Sequence, residues 1–158
     1  MTFQLPDPQQ LSSVLCGLLG TDISLESADS AAEVSALEPG WGSLLIDDDD
    51  NEIGCIVSDL VSTVSLGGGL LMLPVGGLED QVDEGEASEM AVSALGEVIN
   101  VMTKTLNELE GNPHVRSMPA QPLAELSDGR PWVQSPSASA GYEGKMLVGN
   151  GRIAILGA

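Results

Sequence analysis

Glu89-Met90-Ala91-Val92-Ser93-Ala94-Leu95-Gly96-Glu97-Val98-Ile99-Asn100, continued by residues 101–110, carries the clearest periodicity in this sequence. At about 100° per residue, Ala91, Leu95, Val98, Ile99, Met102, Leu106 and Leu109 fall on one side of a helix. Ser93, Glu97, Asn100 and Lys104 fall in a narrow stripe on the other side. Each is three or four residues from the next, and so its neighbour on a helix surface. The spacing predicts a helix from about Glu86 to Glu110, stopped by Gly111-Asn112-Pro113. Such a helix must bury its apolar face against a second layer, with Ser93, Glu97 and Asn100 left exposed.

Two hairpins supply that layer. Ser43-Leu44-Leu45-Ile46 and Ile53-Gly54-Cys55-Ile56-Val57 flank a polar run, Asp47 to Asn51, that suits a turn. Lys145-Met146-Leu147-Val148 and Arg152-Ile153-Ala154-Ile155-Leu156 flank Gly149-Asn150-Gly151, which contains the Asn-Gly turn signal. Residues 21–26 alternate polar and apolar, as in a half-buried strand. Residues 27–40 are polar and read as strand or loop.

Asp7-Pro8 starts a further helix, with an acidic N-cap and a proline where a missing N–H costs nothing, and Gly20 ends it after Leu19. Another helix starts at Ser58 or Asp59 and runs through Gly67-Gly68-Gly69 to Leu73, before Pro74. Each glycine weakens a helix by about 1 kcal/mol relative to Ala, so the three either admit a close neighbour or break the element. No Lys and Ser/Thr follow them at phosphate-loop spacing. Residues 79–89 form an acidic approach to the long helix. Residues 112–137 are Pro-rich and irregular, with a strand near Trp132-Val133-Gln134. The expectation is a single α+β domain over residues 1–158, a mostly antiparallel sheet packed against long helices. Arg152 to Leu156 reads as an edge strand, through which two copies would pair as a homodimer.

The chain has 24 Asp or Glu against 5 Lys or Arg, a formal charge of −19. All five bases (Lys104, Arg116, Arg130, Lys145, Arg152) lie at or after position 104, so residues 1–103 carry the whole net charge. A potential this negative repels phosphate, which excludes nucleic acid and anionic membrane surfaces as partners. It serves solubility or attracts a basic partner. Four consecutive aspartates, Asp47 to Asp50, lack the alternating ligands, glycine and terminal glutamate of a calcium loop, and read as a solvated hairpin tip. Cys16 and Cys55 have no metal-site spacing and read as small core residues of a reduced protein. No metal site of the chain's own is expected. His114 reads as a surface residue, and Trp41 and Trp132 as anchors of a core poor in aromatics. No leader-like segment and no run of about 18 apolar residues occurs, so a cytoplasmic location is expected.

The stretch Glu89 to Asn100 resembles the signature helix of the CheC/CheX/FliY family of chemotaxis phosphatases. That motif places Ser or Asp, then Glu four residues on, then Asn three further, and Ser93, Glu97 and Asn100 fit it. The order of elements is also similar to a CheX domain over nearly the whole chain. CheC-type proteins carry the motif twice, whereas the N-terminal helix here lacks Glu-x-x-Asn, so the single-site CheX arrangement is the nearer likeness. The family commonly has Gly four residues after the Asn; here that position is Lys104.

The resemblance implies hydrolysis of the aspartyl phosphate on a CheY-like response regulator. Asn100 would orient the attacking water and Glu97 would pair with the regulator's lysine. Ser93 and Lys104 would contact the partner. Magnesium would come with the regulator, and no cofactor of the chain's own is implied. Lys104 would reach the incoming phosphate or acidic pocket, pair with Glu108, or compete for Glu97. The alternative is a non-catalytic adaptor on the same fold, which binds a signalling partner through the acidic surface.

Overall fold

Asp7 starts the first helix in the predicted way. In the computed structural model, which describes residues 3–158, its carboxylate accepts the Gln10 N–H at 2.8 Å while the Gln10 side chain accepts the Asp7 N–H at 2.9 Å. This reciprocal cap satisfies two donors that a helix start leaves free. Helix α1 (Pro8–Leu19) then ends at Gly20, whose φ of 66° favours a residue without a side chain. Strand β1 (Ser24–Ser27) follows, and residues 29–32 and 34–37 form two short 3-10 turns rather than a strand.

The first hairpin is β2 (Gly40–Ile46) and β3 (Glu52–Asp59). Its acidic tip is built by Asp47, whose carboxylate accepts the N–H groups of Asp49 and Asn51 at 2.9 Å each. These bonds, the Asn51 N–H foremost, hold the Asp47 carboxyl below the usual carboxylate range. Asp59 then caps α2 (Leu60–Leu70) by accepting the Ser62 N–H at 2.9 Å.

The three glycines lie inside α2 and admit neighbours. A Cβ on Gly67 would overlap the Ala91 carbonyl, one on Gly68 would meet Leu78, and one on Gly69 would meet Leu147. The acidic approach is not a leader to the long helix but the second half of a separate helix, α3 (Val75–Glu84), closed by Gly85 at φ 77°. The long helix, α4 (Glu89–Asn107), starts three residues later than predicted because Ser88 is its cap, accepting the Ala91 N–H at 3.1 Å.

Residues 116–127 hold β4 (Arg116–Ser117), β5 (Gln121–Pro122) and α5 (Leu123–Ser127). The strand expected near Trp132 is a 3-10 turn, Pro131–Val133, led by a proline with no N–H to give a ladder. The second hairpin is β6 (Ala138–Met146) and β7 (Gly149–Gly157). Met146 pairs with Gly149, so the loop is Leu147-Val148, and the Asn-Gly pair lies within β7. Gly151 serves packing instead: a Cβ there would overlap Ser62 Oγ of α2.

The strands form one antiparallel sheet in the order β1-β6-β7-β3-β2-β4, with β5 beside β4 on β2. Strand β7 is central, bonded to β6 along its whole length and to β3 from Ile153 to Gly157. The edge reading of Arg152 to Leu156 is therefore overturned, and with it the route to a homodimer through that strand. Both faces of the sheet are covered. Trp41, Leu45, Ile56, Ile153 and Ile155 pack under α1, α2 and α4, while Leu44, Cys55, Val57, Ala154 and Leu156 pack against Val34, Leu37, Leu123, Leu126 and Val133. Successive residues alternate between the two cores, as strand geometry requires. Among the described residues no helix is long and apolar enough to cross a membrane.

Two outcomes follow from this packing. Gly67→Ala will cost about 1–3 kcal/mol in urea denaturation, since the neighbour it meets is backbone and cannot rotate away. Gly76→Ala in α3, with open space around it, will be neutral or gain up to about 1 kcal/mol. Separately, burial pushes the Cys55 thiol up to about 12. At about pH 8 native Cys55 will react with a maleimide at least about 10²-fold more slowly than in the urea-unfolded chain, followed by mass spectrometry.

Candidate functional site

The close approach at Gly67 fixes how α4 is rotated. Leu95, Val98, Ile99 and Met102 are at most 1% exposed, and the stripe Ser93, Glu97, Asn100 and Lys104 turns outward, as predicted. Ser93, Glu97 and Asn100 open onto one cleft of about 690 Å³. Its floor and near wall are α4, from Glu89 to Asn100. Its far wall is the segment from Ser117 to Pro122 together with Trp41. Lys104 lies one turn beyond and does not line it.

Within the cleft Asn100 is held. The Ser117 hydroxyl donates to its Oδ1 at 3.3 Å. The side chains of Glu97, Ser93 and Lys104 make no hydrogen bond or ion pair among the described residues. Lys104 is thus engaged neither with Glu108 nor with Glu97, and all three side chains are free for a partner.

The sequence did not point to the far wall. Trp41 was expected only as a core anchor; it is 9% exposed and also borders the cleft. Ser117, Met118, Pro119 and Ala120 sit in an irregular stretch with no periodicity, and only tertiary pairing brings them over α4. Gly96 faces this stretch, at a spacing where a Cβ would make ordinary van der Waals contact with Ala120, 3.4 Å from its nitrogen. On the other flank of α4 a shallower groove of about 400 Å³ is lined by Leu70, Leu71, Met90 and Ala94. Ser93 and Glu97 border both hollows. Met90 is 60% exposed and Met118 42%, so apolar surface flanks the polar row on each side. Polar groups set among exposed apolar side chains are characteristic of docking surfaces.

The lining carries Glu86, Glu89 and Glu97 and no base. Arg116, next to Ser117, is turned to the hairpin tip, where its Nη2 lies 2.8 Å from Asp50 Oδ1. No histidine, cysteine or lysine lines the cleft, and among the described residues the Ser93 hydroxyl is hydrogen-bonded to none of the carboxylates of Glu86, Glu89 and Glu97, so it is not paired as an activated nucleophile. The described residues hold no group of three or more His, Cys, Asp or Glu placed to bind a metal ion. The set is suited to binding a cation through Glu97 and to orienting a small polar group through Asn100.

No family model matches the chain, and no curated protein matches it in sequence. Solved structures match its fold. It is similar to a chain of the FliM-SpeE complex from H. pylori, with a TM-score of 0.71 at 12% identity over 95% of this chain and 80% of that one. It is similar to a chain of the CheX-CheY-BeF3-Mg complex from Borrelia burgdorferi, with a TM-score of 0.57 at 16% identity over 93% and 92%. It is also similar to Thermotoga maritima FliY, with a TM-score of 0.55 at 17% identity over 94% and 82%. The chain has a CheC/CheX/FliY-like α+β fold.

If the stripe is a free surface, its truncation will not affect folding. Ser93→Ala, Glu97→Ala and Lys104→Ala will each leave the unfolding free energy within about 0.5 kcal/mol of the parent in urea titrations. Leu95→Ala, on the opposite face and fully buried, will lose about 2–5 kcal/mol.

Proposed function

We propose that this chain acts as a single CheX-like domain that hydrolyses the aspartyl phosphate of a CheY-like response regulator in the cytoplasm. The observation that carries this reading is the pairing of an unpartnered Glu97 with a held Asn100 at one cleft, on a CheC/CheX/FliY-like fold. An aspartyl phosphate is an activated acyl phosphate. Its hydrolysis needs an in-line water and charge stabilisation more than a strong base. Water attacks phosphorus, the P–O bond to the bridging aspartyl carboxyl oxygen breaks, and the regulator's carboxylate is released together with inorganic phosphate, which keeps the water's oxygen and protons. An asparagine has no proton to take or give at ordinary pH, so Asn100 acts by orienting the water through its amide.

Glu97 would receive the regulator's lysine, which both anchors the complex and draws that lysine away from the phosphoryl group. Magnesium would be carried by the regulator. Ser93 and the unpaired Lys104 flank the row and would contact the partner. The apolar flanks at Leu71, Met90 and Met118 supply contact area around it.

The same flanks, with a lysine where the family commonly has glycine, favour a second reading: an adaptor that binds a signalling or flagellar partner without turnover. Structures of similar fold occur in complexes with CheY and with FliG.

One experiment separates the two. With a phosphorylated regulator in excess, the phosphatase reading expects multiple turnovers, seen as loss of the phosphoprotein band on a phosphate-affinity gel. Asn100→Ala will lower the rate by at least about 10²-fold, the scale of losing one oriented catalytic group. Glu97→Ala will chiefly raise KM. Stoichiometric binding without turnover, unchanged in Asn100→Ala, would establish the adaptor instead.

A further inference from the structure

We propose that Ser117 is a positioning residue that holds the Asn100 amide in its working orientation, an inference that rests on the phosphatase reading above. Asn100 is exposed on α4, and an asparagine amide turns easily about its last torsion, which has broad, roughly two-fold minima. Nothing on α4 itself restrains that side chain: the short contact made by the Asn100 backbone carbonyl, with Thr103 Oγ1 at 2.6 Å, leaves the amide free. The restraint comes from Ser117 Oγ, which donates to Asn100 Oδ1 at 3.3 Å. Oδ1 is thereby the engaged end, and Nδ2 is left without a partner among the described residues.

Ser117 is well placed for this because its backbone is fixed on two sides. It pairs with Leu45 of β2, and the next N–H, from Met118, bonds the Leu44 carbonyl at 2.8 Å. Two residues earlier, the Asn107 side chain at the end of α4 clasps Val115, accepting its N–H at 2.7 Å and donating to its carbonyl at 3.2 Å. Three residues later, Ala120 lies over Gly96, within van der Waals reach of where a Cβ would be. Gly96, Asn100 and Asn107 are four and seven residues apart, so they share one face of α4. The segment from Val115 to Ala120 thus runs as a strap along that face, hydrogen-bonded to it at Asn100 and Asn107. Alternation along β4 sends Arg116 to the hairpin tip, where it pairs with Asp50, and so sends Ser117 toward α4.

The test uses Ser117→Thr and Ser117→Val, which share a shape and differ in the hydroxyl, in the full chain with a phosphorylated CheY-like regulator. Ser117→Val is expected to lower kcat by about 2- to 10-fold, the range for one hydrogen bond, with KM unchanged, while Ser117→Thr stays within about twofold of the parent. In an Asn100→Ala background Ser117→Val should cause no further loss. The side-chain 15N-1H2 signals of Asn100 should shift or broaden in Ser117→Val and remain near their parent positions in Ser117→Thr.

A normal Asn100→Ala defect together with a parental kcat for Ser117→Val overturns the positioning role alone. So does an equal loss in Thr and Val, which would mark packing, or unchanged Asn100 signals in Ser117→Val. An inactive parent, or a parental rate for Asn100→Ala, overturns the phosphatase reading, and the catalytic role of Ser117 with it.

Discussion

The approach of α2 to α4 at Gly67 sets the geometry of the whole helical layer. Three successive residues in a helix point in three directions, so Gly67, Gly68 and Gly69 open α2 to three neighbours: Ala91 of α4, Leu78 of α3, and Leu147 at the β6–β7 turn with Leu19 of α1 beside it. Helix α2 is accordingly buried from Ser62 to Gly68. Its hydroxyls are absorbed by what it touches. Ser62 Oγ donates to the Arg152 carbonyl at 3.0 Å, Thr63 meets Ser58 at 2.7 Å, and Ser65 accepts the Val148 N–H at 3.4 Å. Small residues that weaken an isolated helix are here what lets one helix sit between a sheet and a second helix. The rotation of α4, and so the outward direction of Ser93, Glu97 and Asn100, follows from that seat.

The charge distribution changes meaning in three dimensions. Along the chain, a strongly acidic stretch gives way at Lys104 to a neutral one. In the fold two of the later bases return to the earlier acids, Arg116 to Asp48 and Asp50 and Arg130 to Glu52, while Arg152 pairs within the later stretch with Glu143. Most of these pairs are exposed and contribute little to stability. The Arg130–Glu52 pair is bidentate, at 2.8 and 2.9 Å, and its hydrogen bonds hold the Glu52 carboxyl below the usual range. The consequence is for the surface. With three bases occupied, Lys104 and Lys145 are the two lysine or arginine side chains without an ion pair among the described residues. One of them stands a turn from Asn100.

The long helix, the N-terminal cap and both hairpins were legible because a buried face leaves a period in the sequence. What stayed hidden had either no period or a signal with two uses. Helix α5 and strands β4 and β5 are too short to repeat. Helix α3 begins with Val75-Gly76-Gly77 and continues in acids, so it resembles a solvated linker. Gly151 offered a turn signal but is needed for the approach of α2. Strand order was not legible at all, because an aliphatic strand reads alike at an edge and at the centre of a sheet covered on both faces. The near wall of the cleft was visible as the stripe on α4. The far wall, from Ser117 to Ala120, is placed by pairing with β2, which no local pattern encodes.

The composition of the cleft constrains how any chemistry there must be divided. Along the α4 stripe it offers an amide, a carboxylate and a hydroxyl, beside Glu86, Glu89 and Ser117, with no histidine, cysteine or cation in its lining. Such groups can orient and neutralise, but they accelerate a reaction only when the other reactant arrives already activated. On the proposed reading the regulator brings the high-energy phosphoryl group, the metal and the lysine, and this chain adds direction. Direction is sensitive to distance, since about 1 Å of misplacement can cost about 10²-fold in rate. On that reading the seating of Asn100 matters. It stands on a helix whose under-face is anchored in the core by Leu95, Val98 and Ile99, and the strap from Val115 to Ala120 holds its other side. A loop bearing the same three side chains would have the composition of the site without its geometry.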